Sequence, residues 1–168
     1  MSDKTVRIMV QADKPAVQDL NTRAFGRPDE AEIIRKLEAA GDVLLQLVCE
    51  MDGQIVGHIL FYPMGVFGKL SGVGLGPMCV EPWAQREGIG SALVTRGIEM
   101  LNDAGVAIVF VLGHESYYPR FGFSVEAADE FKTPLKGPHF MALRLRHGPP
   151  MSGRLVFPEA FGVPIAEV

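Results

Sequence analysis

Apolar and polar positions change their period several times along the 168-residue chain, and each change predicts an element. Val6 to Val10 is a short β-like run. Asp13 then stands where a helix cap is expected, with Pro15 in the first turn and Val17, Leu20 and Ala24 on one face. A second helix follows Pro28-Asp29, carries Ile33, Ile34 and Leu37, and stops at Gly41, where a left-handed cap costs glycine little. Val43 to Met51 and Gln54 to Phe61 are apolar runs joined by Asp52-Gly53, a pair that favours a tight primed turn and predicts antiparallel strands two and three. Phe67 to Gly72 returns the chain to a fourth strand at about Val73 to Val80. Pro77 inside it has no N–H for a ladder, so a bulge or a splayed edge is expected there.

The next periodic segment is a helix, with Ile89, Leu93, Met100, Leu101 and Ala104 near one face and Arg96, Glu99, Asn102 and Asp103 on another. Its first turn falls at Gly88 to Ser91, and Gly105 ends it. Val106 to Leu112 is apolar throughout, as in a strand buried on both faces and parallel to its neighbour, reached by a right-handed crossover. Ser116 to Phe121 is short and helix-like and leads into a strand at Phe123. Thr133 to Pro138 is a loop, Phe140 to Arg146 alternates as a hairpin strand, and Gly148-Pro149-Pro150 opens a tail with one more short strand at Arg154 to Phe157. No repeat, low-complexity tract or linker divides the chain. The expectation is one domain over residues 1–168, with a core of about 5–147 and an irregular tail over 148–168. The fold class is mixed α/β, a central mixed sheet flanked by helices.

Composition narrows the classes of function. The 48% hydrophobic and 21% charged content suits a globular chain, and no apolar run approaches the roughly 20 residues that span a bilayer. The charged start of the chain lacks the apolar core of a secretory signal, which points to the cytoplasm and makes Cys49 and Cys79 reduced thiols. A net charge of -4, without a basic run interleaved with aromatics, argues against nucleic acid as a partner. His58, His139 and His147 have no ligand spacing, and no metal is expected.

Candidate chemistry concentrates between Gly74 and Ser91, GLGPMCVEPWAQREGIGS. A helix that starts at Gly88 to Ser91 leaves its first N–H groups without intrahelical partners and carries about half a positive charge at that end. Gly88 and Gly90 admit a bulky anion to those amides, and Arg86 and Ser91 can add side-chain donors, so the turn is suited to a phosphate. The spacings GxxxxGK[ST] and GxGxxG are both absent here, which excludes those two nucleotide loops.

The turn is similar to the [RQ]-x-x-G-x-[GA] signature of the GNAT superfamily of acetyl-coenzyme A-dependent N-acetyltransferases, as Gln85-x-x-Gly88-x-Gly90. Leu75 to Pro82 and Tyr118-Pro-Arg-Phe-Gly-Phe123 resemble the family's flanking motifs in the same order. The resemblance implies a GNAT-like sheet with strands four and five parallel and splayed. It implies acetyl-CoA as cosubstrate, its pyrophosphate at Gln85, Arg86, Glu87, Gly88, Ile89, Gly90 and Ser91 and its pantetheine arm on the backbone near Met78, Cys79 and Val80. It makes Tyr118 the general acid, since a phenol with a pKa of about 10 stays protonated beside a thiolate whose conjugate acid has a pKa of about 8.5. Glu81 is a candidate base, with His114 and Glu115 as alternatives. The first two helices line the family's acceptor site, so Arg23, Phe25 and Arg27 are candidates to touch substrate, against a reading in which they pack or are solvated. The implied reaction is transfer of acetyl to a primary amine of a small molecule or peptide. Alternatives are a coenzyme A-binding regulatory protein without turnover and an acyltransferase for a longer acyl group. A homodimer is a candidate assembly, and no membrane partner is implied.

Overall fold

A computed structural model of the protein describes residues 3–66 and 69–166. Its strands are β1 (Lys4–Ile8), β2 (Leu45–Met51), β3 (Gln54–Val66), β4 (Lys69–Val80), β5 (Ile108–Leu112), β6 (Phe131–Lys132), β7 (Phe140–Arg144) and β8 (Gly153–Val156). Its helices are α1 (Lys14–Phe25), α2 (Asp29–Ala40) and α3 (Ile89–Asp103). The sheet order is β1-β2-β3-β4-β5-β7, with β8 beside β3 and β6 beside β8. β4 and β5 are parallel, whereas β1–β2, β2–β3 and β5–β7 are antiparallel, so the sheet is mixed as expected. The chain forms two compact units, one built from the residues up to Phe61 together with Pro77–Glu99, the other from Tyr62–Gly76 together with the residues from Met100 onward.

In the first unit the β2–β3 hairpin turns at Asp52 and Gly53 with φ of 53° and 76°, the left-handed pair of a primed turn. Val56, Ile59, Leu60 and Phe61 of β3 are all fully buried, which is why the run is apolar without alternation. β1 lies earlier than expected, at Lys4–Ile8, because its ladder with β2 runs from Lys4↔Met51 to Ile8↔Leu47. Asp13 is not the side-chain cap of α1: its carboxylate accepts from the Val10 amide at 2.8 Å and from Arg7 at 2.7 and 3.0 Å, within a tight 3-10 turn at Gln11–Asp13. α1 and α2 both end on left-handed glycines, Gly26 and Gly41, as the composition of their C-termini dictates. On α3 the buried face comprises Ile89, Leu93, Val94 and Leu101, while Ala104, expected on it, is exposed beyond the helix end. Gly97 belongs to that face as well, since a Cβ there would lie 2.4 Å from the Phe61 ring.

In the second unit β4 and β5 are in register from Val73↔Val109 to Leu75↔Val111. The ladder ends at Leu75, short of Pro77, which has no N–H to offer one. β5 begins two residues after the apolar run does, because the Val106 amide donates to the Leu101 carbonyl at 3.0 Å and closes the end of α3 at Gly105. Phe123 does not start a strand: Ser124 makes an isolated bridge to Ala142, its Oγ accepts from the Ala127 amide at 3.1 Å, and the chain turns at Glu126–Ala128. The tail carries the short strand expected at Arg154 to Phe157, as β8. β8 pairs with Gly65 and Val66 of β3, Arg144 donates to the carbonyls of Gly148 and Pro150 at 2.9 and 2.8 Å, and Phe161 packs 4.5 Å from the Tyr62 ring.

Candidate active site

The first unit holds the turn between β4 and α3. Glu81 leaves the strand with its amide donating to Val56 at 2.8 Å and its carbonyl accepting from Ala84 at 2.8 Å. Gln85 folds back, its Nε2 donating to the Val80 carbonyl at 3.2 Å, so this side chain shapes the turn from within. Arg86 and Gly88 then take left-handed φ of 67° and 81°; for Arg86 that conformation is strained, and strain of this kind persists where the surroundings over-determine it. The first helical bond runs from the Ala92 amide to the Gly88 carbonyl at 3.0 Å, which leaves the amides of Ile89, Gly90 and Ser91 without helical partners.

Arg86, Glu87 and Gly88 are exposed, Gly90 and Ser91 half-buried. Ile89 is different: its side chain is in the core, 2% exposed, so only its backbone can serve a ligand. The Glu87 carboxylate, unfavourable at an anion site, is partnered by Lys4 at 3.7 Å, and Lys4 also donates to the Glu87 carbonyl at 3.0 Å. Free amides at a helix start, a guanidinium and a glycine at φ 81° are a donor set that fits a pyrophosphate.

Upstream, Met78 and Val80 are half-buried, and Cys79 turns its side chain into a cluster with Val17, Leu20, Val48 and Ile55. Burial, and then the neighbouring Glu81, push the Cys79 thiol up to about 12, so it stays protonated and inert, and the contribution of this segment to a ligand is through its backbone. Glu81 is 5% exposed. Arg23, on the last turn of α1, grips both its oxygens, Nε to Oε1 at 3.2 Å and Nη2 to Oε2 at 2.7 Å. Arg27 is engaged in the same way by Glu30, at 3.0 and 2.7 Å, and Phe25 is exposed.

A chain of buried polar groups behind α1 went unanticipated. Asn21 donates to Val17 at 2.9 Å and lies 3.2 Å from His58 Nδ1; His58 Nε2 lies 2.8 Å from Gln46 Oε1; Gln46 donates to Glu38 at 3.2 Å, and Lys14 closes the chain on Glu38 at 3.3 Å. Burial holds His58 down to about 3, so the ring is neutral, and a donor at Nε2 with an acceptor at Nδ1 satisfies both neighbours. The signal available beforehand was Gln46 and His58 lying inside otherwise apolar hairpin strands.

Tyr118 belongs to the second unit, where it opens the 3-10 turn Tyr118–Phe121 rather than an α-helix. Its amide and that of Tyr117 both donate to the His114 carbonyl, at 3.3 and 3.1 Å. The Tyr118 ring is 7% exposed, edge-on to Tyr117 at 5.1 Å and to Phe123 at 5.8 Å, and it lies over Gly113, where a Cβ would come within 2.3 Å of it. Burial pushes the phenol up to about 12, so it keeps its proton throughout the neutral range. Tyr117 is instead held by Phe121 at 5.3 Å and by the Arg120 guanidinium over its face at 4.6 Å. His114 and Glu115 are exposed.

Residues 14–123 match the Acetyltransferase (GNAT) family. The chain belongs to that family. The Escherichia coli (strain K12) protein named "Uncharacterized N-acetyltransferase YjhQ" is 37% identical over 131 residues, which cover 75% of this chain and 72% of that protein. The structure of the GNAT family N-acetyltransferase YhbS from Escherichia coli, in complex with CoA, is similar with a TM-score of 0.90 at 30% identity, covering 96% of this chain and 93% of that one. A GNAT family acetyltransferase from Brucella melitensis, in complex with acetyl-CoA, is similar with a TM-score of 0.81 at 33% identity, covering 95% and 98%. Family membership carries the class of chemistry, acyl transfer, with it. Among the described residues no group of His, Cys, Asp and Glu could hold a metal ion, and no helix is long and apolar enough to cross a membrane.

Proposed function

We propose that this GNAT member transfers the acetyl group of acetyl-CoA directly to a primary amine of a small molecule or peptide, in a cytoplasmic setting that keeps Cys49 and Cys79 as thiols. The observation that carries the reading is the turn from Gln85 to Ser91, with the first helical bond of α3 starting only at the Ala92 amide, left-handed Arg86 and Gly88, and the negative charge of Glu87 partnered by Lys4. Acetyl-CoA supplies the thioester; a C–N bond forms as the C–S bond breaks. Two protons then have to move, one off the attacking nitrogen and one onto the departing sulfur. Tyr118 is the proposed donor to sulfur, on the family pattern and on a burial that keeps its hydroxyl protonated. Glu81 is the proposed acceptor of the amine's proton, as the buried carboxylate at the end of β4.

The test is release of free coenzyme A from acetyl-CoA across separate panels of polyamines, aminoglycosides, amino acids and peptide N-termini. Turnover with at least one class, and the acetyl mass recovered on that amine, is the expected result. Tight binding of acetyl-CoA with no turnover in any class would replace the reading with that of a coenzyme A-binding protein.

A further inference from the structure

We propose that Arg23 is a positioning residue for the transfer: its two-point contact holds and aims the Glu81 carboxylate at the end of β4. The proposal rests on the reading of Glu81 as the acceptor of the amine's proton.

The argument begins with Glu81 itself. Its backbone is pinned at both ends, to Val56 and to Ala84, so the side chain departs from a fixed point. That side chain is only 6% exposed, and a buried carboxylate needs a partner for both its charge and its hydrogen bonds. Arg23 supplies both at once, through two parallel N–H contacts that fix the plane of the carboxylate as well as its charge. Near the pair are Asp19 on α1 and the neutral Cys79 thiol on β4, and it is Arg23 that meets both oxygens of the Glu81 carboxylate.

Arg23 is in turn held in place. Asn21, two residues earlier on α1, is fully buried and bonded toward His58, which fixes the helix against the hairpin, while the Arg23 side chain is 50% exposed. The buried partner is therefore Glu81, and the consequence of losing the pair falls on it. A Lys at position 23 restores the charge as a point contact and not the two-point fork, which makes it the informative intermediate.

The test is the coenzyme A release assay, with the amine of the panels that turns over fastest. Arg23→Gln is expected to lower kcat by about tenfold or more with the KM for acetyl-CoA little changed, Arg23→Lys to recover part of that loss, and circular dichroism to stay unchanged. A wild-type kcat in Arg23→Gln, or a loss confined to KM, overturns the positioning role even if Glu81→Gln abolishes turnover. Wild-type turnover by Glu81→Gln overturns the reading of Glu81 itself, and the role of Arg23 in the transfer falls with it.

Discussion

Tyr118 and His58 are both buried titratable side chains, and burial acts on them in opposite directions. It raises the phenol and keeps it protonated; it lowers the imidazole and keeps a proton off it. For Tyr118→Phe the ring and its contacts with Tyr117 and Phe123 remain, so folding and affinity for acetyl-CoA should hardly change while kcat falls by about 10²- to 10⁴-fold, the usual worth of general acid catalysis. Tyr117→Phe, whose ring is held by Phe121 and Arg120, should turn over normally. Loss of activity in Tyr117→Phe with full activity in Tyr118→Phe would reverse the assignment. For His58 the sign is fixed by its depression from 6.5 to about 3: the unfolded chain takes up a proton that the folded chain refuses. Its contribution to stability is present above about pH 6.5 and is lost as pH falls toward 3, at about 1.4 kcal/mol per unit. Urea unfolding at pH 7 and pH 5 should therefore differ by about 2 kcal/mol from this group, and His58→Gln should flatten that difference. An unchanged pH dependence in His58→Gln would mean that other groups cause it.

At the scale of elements, the segment from β4 to α3 was the most legible part of the chain, because its cues are local. Pro77 cannot join a ladder, and Gly88 supplies the left-handed residue just before the helix starts. A negative charge at that start should be incompatible with a pyrophosphate. Gly90→Asp is therefore expected to abolish acetyl-CoA binding by calorimetry while the far-ultraviolet spectrum is retained, and unchanged affinity would remove the central claim. What sequence alone did not show was set by contacts distant along the chain. Asp13 looked like a cap, but Arg7, six residues away across a turn, takes its carboxylate. Arg23 was open to packing, solvation or substrate contact, and its partner Glu81 lies 58 residues further on. Gly97 carried no signal at all, since what excludes a side chain there is the Phe61 ring.

Across the whole molecule, the antiparallel β2–β3 hairpin and the parallel β4–β5 pair followed from hydrophobic pattern and turn residues, whereas the partners of the last twenty or so residues did not. The short strand expected at Arg154 to Phe157 is β8, but its surroundings were not legible: Leu155 is buried, β8 pairs with both β3 and β6, and Phe157 and Phe161 cover Tyr62. The reason lies in Tyr62, whose ring presses on Gly74 so closely that a Cβ there would lie 2.1 Å away, and whose other neighbours include those tail rings. Ending the chain after Pro150 removes the buried Leu155, the ladder on Gly65 and Val66, and both phenylalanines. Burial of one such side chain is worth about 1.5–3 kcal/mol, and natural domains have about 5–15 kcal/mol of stability in all. The truncated chain should therefore unfold at a markedly lower urea concentration than the full one and bind a hydrophobic dye. Turnover in the coenzyme A release assay should fall along with stability. A truncated chain as stable as the full one would show that the tail is an appendage, and that Tyr62 is held in place by the sheet alone.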